Sequence, residues 1–231
     1  MPKSLGKSIS PSTGRRLVIS DIHGCYATLT TLLDRLEIQQ SDQVFFLGDY
    51  ISKGRECKKT LDLILQLNTL PNYFALLGNH DDLFLEYLKT GSESIKQKLI
   101  ELGNSELLAF SDNDVAYYKG ELSKLYCFFD IGPFLLVHAG FDFSLINPFE
   151  SKLAMLNIRQ FAYNTEKAGN KTIIHGHFPH EKDKIEKAIA SQDKIIPLDN
   201  GCVYRGIREN MGELLCLELD TMKLHSQVKI D

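Results

Sequence analysis

Residues 16–24 read Arg-Leu-Val-Ile-Ser-Asp-Ile-His-Gly, a short apolar run that stops at two side chains able to bind metal. The apolar, β-branched run from Arg16 to Ser20 predicts a buried strand. Asp21 and His23 follow it two residues apart, so that both can face one point as the chain turns. Carboxylate and imidazole groups suit borderline and hard divalent metals. The stretch therefore predicts a strand with part of a metal site at its carboxyl end.

Helices and further strands follow this first strand in alternation. Residues 26–37 place four leucines on one helical face, and residues 60–67 predict a second helix. The apolar segments 44–47 and 73–77 predict strands. A strand–helix–strand–helix–strand order is typical of parallel strands with crossover helices. Residues 82–110 instead predict two or three helices, which would form a helical cap inserted between strands.

The second half of the chain returns to short strands. The turn Asp130-Ile131-Gly132-Pro133 predicts a hairpin between the first two of them. Residues 1–14 are polar and contain proline and glycine, which predicts a flexible leader before a single domain over residues 15–231. The predicted strands cover residues 125–129, 134–137, 171–174, 194–198, 213–219 and 223–228.

The net charge, the cysteine count and the lack of long apolar runs argue against several classes of function. The formal net charge of -4 argues against a general nucleic-acid binder, which usually carries a basic excess. The five cysteines are odd in number and form no C-x-x-C pair, which indicates a reduced, intracellular chain. The N-terminal residues lack the apolar segment of a signal peptide, and no run approaches 18 apolar residues. We therefore expect a cytoplasmic protein without nucleic-acid or membrane partners.

Five polar motifs each follow a predicted strand. Ligands of open α/β sheets bind at the carboxyl ends of the strands, so these motifs are predicted to meet on one rim. The motifs are Ser-Asp-Ile-His-Gly at 20–24, Gly-Asp-Tyr-Ile-Ser-Lys-Gly at 48–54, Gly-Asn-His-Asp at 78–81, His-Ala-Gly at 138–140 and His-Gly-His at 175–177.

The side chains of these motifs suit two metal ions. Asp49 has two carboxylate oxygens and can bridge a pair of metals. Asn79, His138 and His177 can complete the second metal. Two ions about 3.5–4 Å apart clamp a phosphoryl group and lower the pKa of a bridging water. The residues therefore predict a site for two metal ions, of the kind that can clamp a phosphoryl group.

The motif order resembles the phosphoprotein phosphatase branch of the calcineurin-like metallophosphoesterases over about residues 16–220. Small bacterial and phage serine/threonine phosphatases share this order, as do bacterial diadenosine tetraphosphate hydrolases. Residues 198–204 also resemble the closing strand motif of the branch. The resemblance implies an α/β sandwich of two mixed β-sheets flanked by helices.

The resemblance also implies a role for each matching residue. Two divalent ions would bind, with Mn²⁺ expected in vitro and iron or zinc as alternatives in the cell. Metal-bound hydroxide would then attack phosphorus in line, with His80 as the general acid and with Lys53 and Arg159 as phosphate-binding residues. The implied metal ligands are Asp21, His23 and Asp49 for the first ion and Asp49, Asn79, His138 and His177 for the second.

The second motif departs from the family pattern G-D-x-x-D-R-G. Ser52 replaces its second aspartate, which orients the catalytic histidine in the family, and Lys53 replaces its arginine. A nearby carboxylate raises the pKa of a histidine, so we expect His80 to be harder to protonate here unless Asp81 or Asp82 substitutes. Lysine keeps the charge but loses the bidentate fork that fits phosphate.

Three functions remain open from the sequence. The leading one is hydrolysis of a phosphomonoester, with a phosphorylated protein or a small phosphoester as partner and with serine/threonine or tyrosine preference undecided. The second is hydrolysis of diadenosine tetraphosphate or a related nucleotide, with the helical cap choosing the substrate. The third is a catalytically weakened phosphate-binding module, which the changes at Ser52 and Lys53 suggest and the complete ligand set opposes.

Overall fold

Two five-stranded sheets make up the centre of this computed structural model, which describes residues 4–231. The predicted sandwich of two mixed sheets flanked by helices is confirmed. The strands are β1 (Gly6–Ser8), β2 (Arg16–Ile19), β3 (Gln43–Phe46), β4 (Tyr73–Ala75), β5 (Phe128–Ile131), β6 (Phe134–Val137), β7 (Thr172–His175), β8 (Ile195–Pro197), β9 (Glu213–Glu218) and β10 (Lys223–Val228).

Seven α-helices and three short 3₁₀ helices flank the sheets in the part of the chain described. The 3₁₀ helices span Ser105–Leu108, Pro148–Glu150 and Cys202–Tyr204. The α-helices are α1 (Tyr26–Leu36), α2 (Cys57–Leu67), α3 (Asn79–Thr90), α4 (Glu93–Glu101), α5 (Asp112–Leu122), α6 (Lys152–Asn157) and α7 (Lys182–Ala190).

The first sheet has the strand order β10-β9-β2-β3-β4. As the alternating pattern predicts, β2, β3 and β4 run parallel, with Val18 opposite Phe45 and Phe45 opposite Phe74. Strands β9 and β10 form an antiparallel hairpin, and β9 runs antiparallel to β2. The carboxyl ends of β2, β3 and β4 therefore lie at one edge, where the first three polar motifs begin.

The second sheet has the strand order β1-β5-β6-β7-β8. The predicted hairpin joins β5 to β6, and β7 and β8 continue parallel to β6. The prediction of a flexible leader over residues 1–14 is wrong for part of that range, because Gly6–Ser8 pairs in parallel with β5 and Ile9 is buried. Residues 1–3 of that leader lie outside the described part.

Successive side chains of β2 and β3 point to opposite faces of the first sheet and pack into two separate hydrophobic clusters. Val18 and Phe45 face the second sheet and pack in one cluster with Leu136 of β6. Leu17 points the other way, into a second cluster with Leu29 of α1 and with residues of α2. Both faces of the strands are covered, which explains their uninterrupted apolar sequence.

The helical insertion between β4 and β5 is present and is longer than predicted. It runs from α3 through α4 and the 3₁₀ turn to the end of α5, rather than over residues 82–110 alone. Asn79 and His80, two motif residues, form the first turn of α3, so the insertion begins inside the candidate site. Within residues 4–231, no helix is long and apolar enough to cross a membrane.

Candidate active site

Asp49 lies at the centre of the site and belongs to two groups of potential metal ligands. Its Oδ2 atom is 3.6 Å from His23 Nε2 and 3.9 Å from His80 Nε2. Its Oδ1 atom is 3.5 Å from His138 Nε2, and His177 completes that second group. Ligand atoms within each group lie within 4.8 Å of one another. Because each carboxylate oxygen faces a different group, Asp49 has the geometry of a bridging ligand.

Backbone carbonyls fix the orientation of two of the imidazoles. His23 Nδ1 lies 2.9 Å from the carbonyl oxygen of Ile51, and His138 Nδ1 lies 2.9 Å from that of Leu47. A carbonyl can only accept, so each Nδ1 carries the proton and each Nε2 presents its lone pair to the site. This arrangement is typical of metal-binding histidines, whose second nitrogen is held by an outer partner.

Asn79 brings the second predicted group together. Its Oδ1 atom is 2.9 Å from His138 Nε2 and 2.9 Å from His177 Nδ1. Asn79 is the first residue of α3, while His138 follows β6 and His177 follows β7. The three motifs thus converge from both sheets, as the prediction of a common rim requires.

Asp21 is placed differently from the other predicted ligands of the first metal. Its Oδ2 accepts a hydrogen bond of 2.9 Å from the backbone N–H of His177. A Cβ at Gly176 would lie 1.9 Å from its Oδ1, so only glycine leaves room for the carboxylate. Asp21 belongs to neither group of close ligand atoms, and His80 stands beside His23 and Asp49 in the first group.

Three buried polar atoms of this centre have no hydrogen-bond partner among residues 4–231: Asp21 Oδ1, His177 Nε2 and His80 Nδ1. Leaving such an atom unpaired costs about 1–3 kcal/mol. Metal coordination would satisfy the carboxylate oxygen of Asp21, whereas His177 faces the second group through Nδ1 rather than through its unpaired Nε2. The residues present therefore fit two divalent ions in donor type and number.

The electrostatics of the site favour the protonation states that bind metal. Burial lowers the pKa of His23 to about 3, with Lys53 adding to the effect, and burial lowers the pKa of His177 to about 4. Burial alone would raise the pKa of Asp49, but His138 and its neighbouring histidines lower it below its usual value. Neutral imidazoles and an ionised carboxylate are the forms that coordinate metal.

His80 lies beside Asp49, and among residues 4–231 its Nδ1 atom has no hydrogen-bond partner that would orient the ring. Its backbone N–H donates to Asp49 Oδ1 at 2.9 Å, and its side chain is 12% exposed. Burial lowers the pKa of His80, Asp49 opposes this effect, and Lys53, His138 and Lys98 add to it.

Ser52, Asp81 and Asp82 each bind elsewhere. The Ser52 hydroxyl accepts a hydrogen bond of 2.8 Å from Asn104 Nδ2. Asp81 accepts three backbone N–H groups, those of Gly78, Asp49 and Tyr50, at 2.8 to 3.0 Å. Asp82 pairs with Lys152 at 2.6 Å. The candidates considered for replacing the missing aspartate thus have other partners.

The two predicted phosphate-binding residues lie at opposite ends of the site. Lys53 Nζ is 2.8 Å from His23 Nε2, inside the first group of ligands. Arg159 is exposed, its guanidinium stands 5.8 Å from the Phe178 ring, and its charge contributes to the lowered pKa of His177. The side chains of Lys53 and Arg159 are both exposed, so both positions are accessible to a phosphate.

Two buried residues around the site, Asp199 and Asn104, have no role predicted from the sequence. Asp199 is 1% exposed, its carboxylate accepts the Gly201 N–H at 2.7 Å, and burial raises its pKa to about 6. Its charge also raises the pKa of Asp21. Asn104 joins the insertion to Ser52. Asp199 lies in the closing strand motif, a signal that could have marked it, whereas Asn104 carries no such signal.

Comparison with known proteins agrees with this geometry. The sequence profile of the calcineurin-like phosphoesterases matches residues 14–219. An asymmetrical bis(5'-nucleosyl)-tetraphosphatase of Geobacillus thermodenitrificans is 23% identical over 221 residues, which cover 82% of this chain and 86% of that protein. A symmetrical bis(5'-nucleosyl)-tetraphosphatase of Wigglesworthia glossinidia brevipalpis is 37% identical over 90 residues, which cover 38% of this chain and only 32% of that protein. Serine/threonine-protein phosphatase 2 of Salmonella typhimurium is 39% identical over 74 residues, 32% of each chain.

Solved structures show the same fold. A protein provisionally assigned as a diadenosine tetraphosphatase superposes with a TM-score of 0.66 at 22% identity, covering 99% of this chain and 100% of its own. The cold-active protein-tyrosine phosphatase of a Shewanella species superposes with a TM-score of 0.60 at 17% identity, covering 98% of this chain and 82% of its own.

Proposed function

The chain belongs to the calcineurin-like phosphoesterase family, and on this premise we propose that it is a metal-dependent hydrolase that cleaves nucleoside polyphosphates. The observation that supports hydrolysis most directly is the position of Asp49 between two groups of ligand atoms. Two metal ions about 3.5–4 Å apart commonly promote in-line displacement at phosphorus, because they stabilise both the attacking and the leaving oxygen. A dinuclear site of this kind is the centre of the proposed reaction.

The proposed ligands divide into two sets around Asp49. His23 and Asp21 would serve the first ion, while Asn79, His138 and His177 would serve the second. When bound, two divalent ions supply a water of lowered pKa and positive charge that neutralises the phosphoryl oxygens. The chain's own contribution is to hold the imidazoles neutral and Asp49 ionised, as the lowered pKa values of His23 and Asp49 favour.

His80 and Arg159 act on the substrate in this proposal. His80 Nε2 would donate a proton to the leaving oxygen, because it lies beside Asp49 and retains some exposure. Arg159 would contact the non-bridging oxygens of the phosphoryl group from the His177 side of the site. Lys53 is also exposed, and its ammonium lies 2.8 Å from His23 Nε2, so it would contact the phosphoryl group from the side of the first set of ligands.

Relatives of nearly equal length support nucleotides as substrates. The Geobacillus tetraphosphatase matches 82% of this chain, whereas the Salmonella phosphatase matches 32%. The sequence alone placed phosphoproteins first and nucleotides second, and the same metal ligands would serve both reactions. Hydrolysis of a phosphorylated protein stays the second candidate, supported by the 39% identity of that shorter match.

A substrate panel with two active-site variants tests the proposal. Wild type, Asp49→Asn and His80→Asn would be assayed with Mn²⁺ on diadenosine tetraphosphate, a phosphoserine peptide, a phosphotyrosine peptide and p-nitrophenyl phosphate. We expect the highest kcat/KM with the nucleotide and the loss of all activity in Asp49→Asn. A preference for a phosphopeptide would replace the nucleotide assignment. Binding of metal without turnover on any substrate would favour a phosphate-binding module.

A further inference from the structure

A cavity of about 490 Å³ opens beside His80 and is walled by the helical insertion. Asn79 and His80 line its inner end, which connects the cavity to the metal ligands. Leu83 and Leu102, both half-buried, form apolar parts of its wall. The cavity therefore starts at the residue proposed to protonate the leaving oxygen and runs away from the metal ligands.

Lys98 of α4 supplies a positive charge to this cavity. Its side chain lines the wall, and within residues 4–231 its ammonium has no carboxylate within 4.0 Å. One acid of the wall, Asp82, is paired at 2.6 Å with Lys152. The ammonium of Lys98 is therefore available to bind an anionic ligand.

Glu86 lines the cavity farther from the metal ligands. It follows His80 by six residues on α3, which corresponds to about 9 Å along a helix axis. Glu86 is exposed, and no hydrogen bond or ion pair of its carboxylate occurs among the residues described. A free carboxylate at that distance accepts hydrogen bonds from hydroxyl groups.

The wall of the cavity is tied to the second motif. The backbone N–H of Lys53 donates to the carbonyl oxygen of Leu102 at 2.7 Å. Asn104 is fully buried and donates to the Ser52 hydroxyl at 2.8 Å. The serine at position 52 therefore serves as the attachment point of the insertion. These bonds hold α4, and with it Lys98, at a fixed place relative to the metal ligands.

We propose that this cavity is the leaving-group subsite and that it selects a nucleotide leaving group. Lys98 binds the phosphate next to the scissile bond, and Glu86 accepts hydrogen bonds from the ribose hydroxyls. The inference rests on the proposed function and names the half of the substrate that departs. A water oxygen bonds to phosphorus, the bond from phosphorus to the bridging oxygen breaks, and that oxygen keeps the electron pair. The leaving oxygen takes the proton of His80, and the attacking water releases its proton to solvent.

Substrates that differ in their leaving groups test the two roles separately. Diadenosine tetraphosphate carries phosphate and ribose, inorganic tripolyphosphate carries phosphate alone, and p-nitrophenyl phosphate carries neither. The variants are Lys98→Ala and Glu86→Ala. Lys96→Ala is the matched control, because Lys96 stands on the same helix, is paired with Glu93 at 3.4 Å and does not line the cavity. Thermal melting of each variant checks that it folds.

We expect Lys98→Ala to lower kcat/KM for diadenosine tetraphosphate, relative to p-nitrophenyl phosphate, by about tenfold or more, the usual effect of losing a charge-assisted hydrogen bond. Lys98→Ala should lower kcat/KM for tripolyphosphate, relative to p-nitrophenyl phosphate, by the same factor. Glu86→Ala should lower only the ratio for the nucleotide, and Lys96→Ala should leave both ratios unchanged. Unchanged ratios in a folded Lys98→Ala protein would overturn the proposal.

Binding of ADP, the product-like half, gives a readout that does not require turnover. Equilibrium titration should show about tenfold weaker ADP binding in Lys98→Ala than in wild type. If wild type hydrolyses nothing, the proposed function fails, yet this difference in binding still supports a nucleotide subsite. If wild type binds no ADP, or if Lys98→Ala binds it equally well, the subsite is wrong whatever the activity.

Discussion

Replacing Gly176 with alanine tests the placement of Asp21 against the loop after β7. Gly176 is buried, and an added Cβ would lie 1.9 Å from Asp21 Oδ1 and 3.1 Å from Asp21 Cγ. The carboxylate cannot stay where it is, and its movement also breaks the hydrogen bond from the His177 N–H. The substitution therefore displaces one proposed metal ligand without changing its chemistry.

The expected cost follows from these two contacts. Inserting a methyl group into a closed space costs about 1–3 kcal/mol. The lost hydrogen bond to a carboxylate adds about 1.5–3 kcal/mol. We therefore expect Gly176→Ala to lower the free energy of unfolding by roughly 2.5–6 kcal/mol. The displaced Asp21 should also weaken the binding of Mn²⁺.

Urea unfolding in the presence of a chelator measures this cost without the contribution of metal. Gly120→Ala is the control with the opposite sign, because Gly120 is exposed on α5 and its added Cβ would meet nothing within 4 Å. Alanine is better than glycine in a helix by about 0.5–1 kcal/mol. If Gly176→Ala unfolds at the wild-type urea midpoint, the placement of Asp21 is wrong.

Three further predictions concern pH and substrate binding. Arg15 bonds Asp42 and lowers its pKa, so the stabilisation from this pair is present above the unfolded pKa of about 3.9 and is lost as pH falls through the lower folded pKa. Asp42→Asn should cost about 1–3 kcal/mol at pH 7, and acid-urea titrations should show that cost shrinking as pH falls through the folded pKa. Because burial lowers the pKa of His80, activity should fall as pH rises through that pKa. Ser52→Asp places a carboxylate near His80 and should move this falling limb of the pH–rate profile to higher pH. Coincident profiles of wild type and variant would contradict this expectation. Arg159→Ala should raise KM for p-nitrophenyl phosphate about tenfold, with partial recovery in Arg159→Lys, and an unchanged KM would remove Arg159 from the site.

The parallel half of the fold could be predicted because its strands are buried on both faces. Runs such as Arg16–Ile19 are short, apolar and followed by turns, and they stand out from the amphipathic helices between them. β1 could not be found in this way. Gly6–Ser8 is three residues long and polar, and its pairing with β5 comes from contact across more than a hundred residues of chain.

Site residues that directly follow a strand could be predicted from the sequence. Residues that reach the site only through the packing of distant elements were missed. The motifs after β2, β3 and β4 meet because parallel strands end at one edge. The bond between Asn104 and Ser52, by contrast, depends on how the insertion packs. The same holds for Lys98, which is an ordinary lysine of an amphipathic helix until α4 packs beside α3. Its position next to His80 is a property of the tertiary structure.

The number of Mn²⁺ ions that each chain binds tests the central claim most directly. Calorimetric titration of chelator-treated wild type should give two ions per chain, and Asp49→Asn should lose both or bind them far more weakly, because each oxygen of Asp49 faces one group of ligands. No binding by wild type, or two ions bound as tightly by Asp49→Asn, would contradict a dinuclear centre built around Asp49.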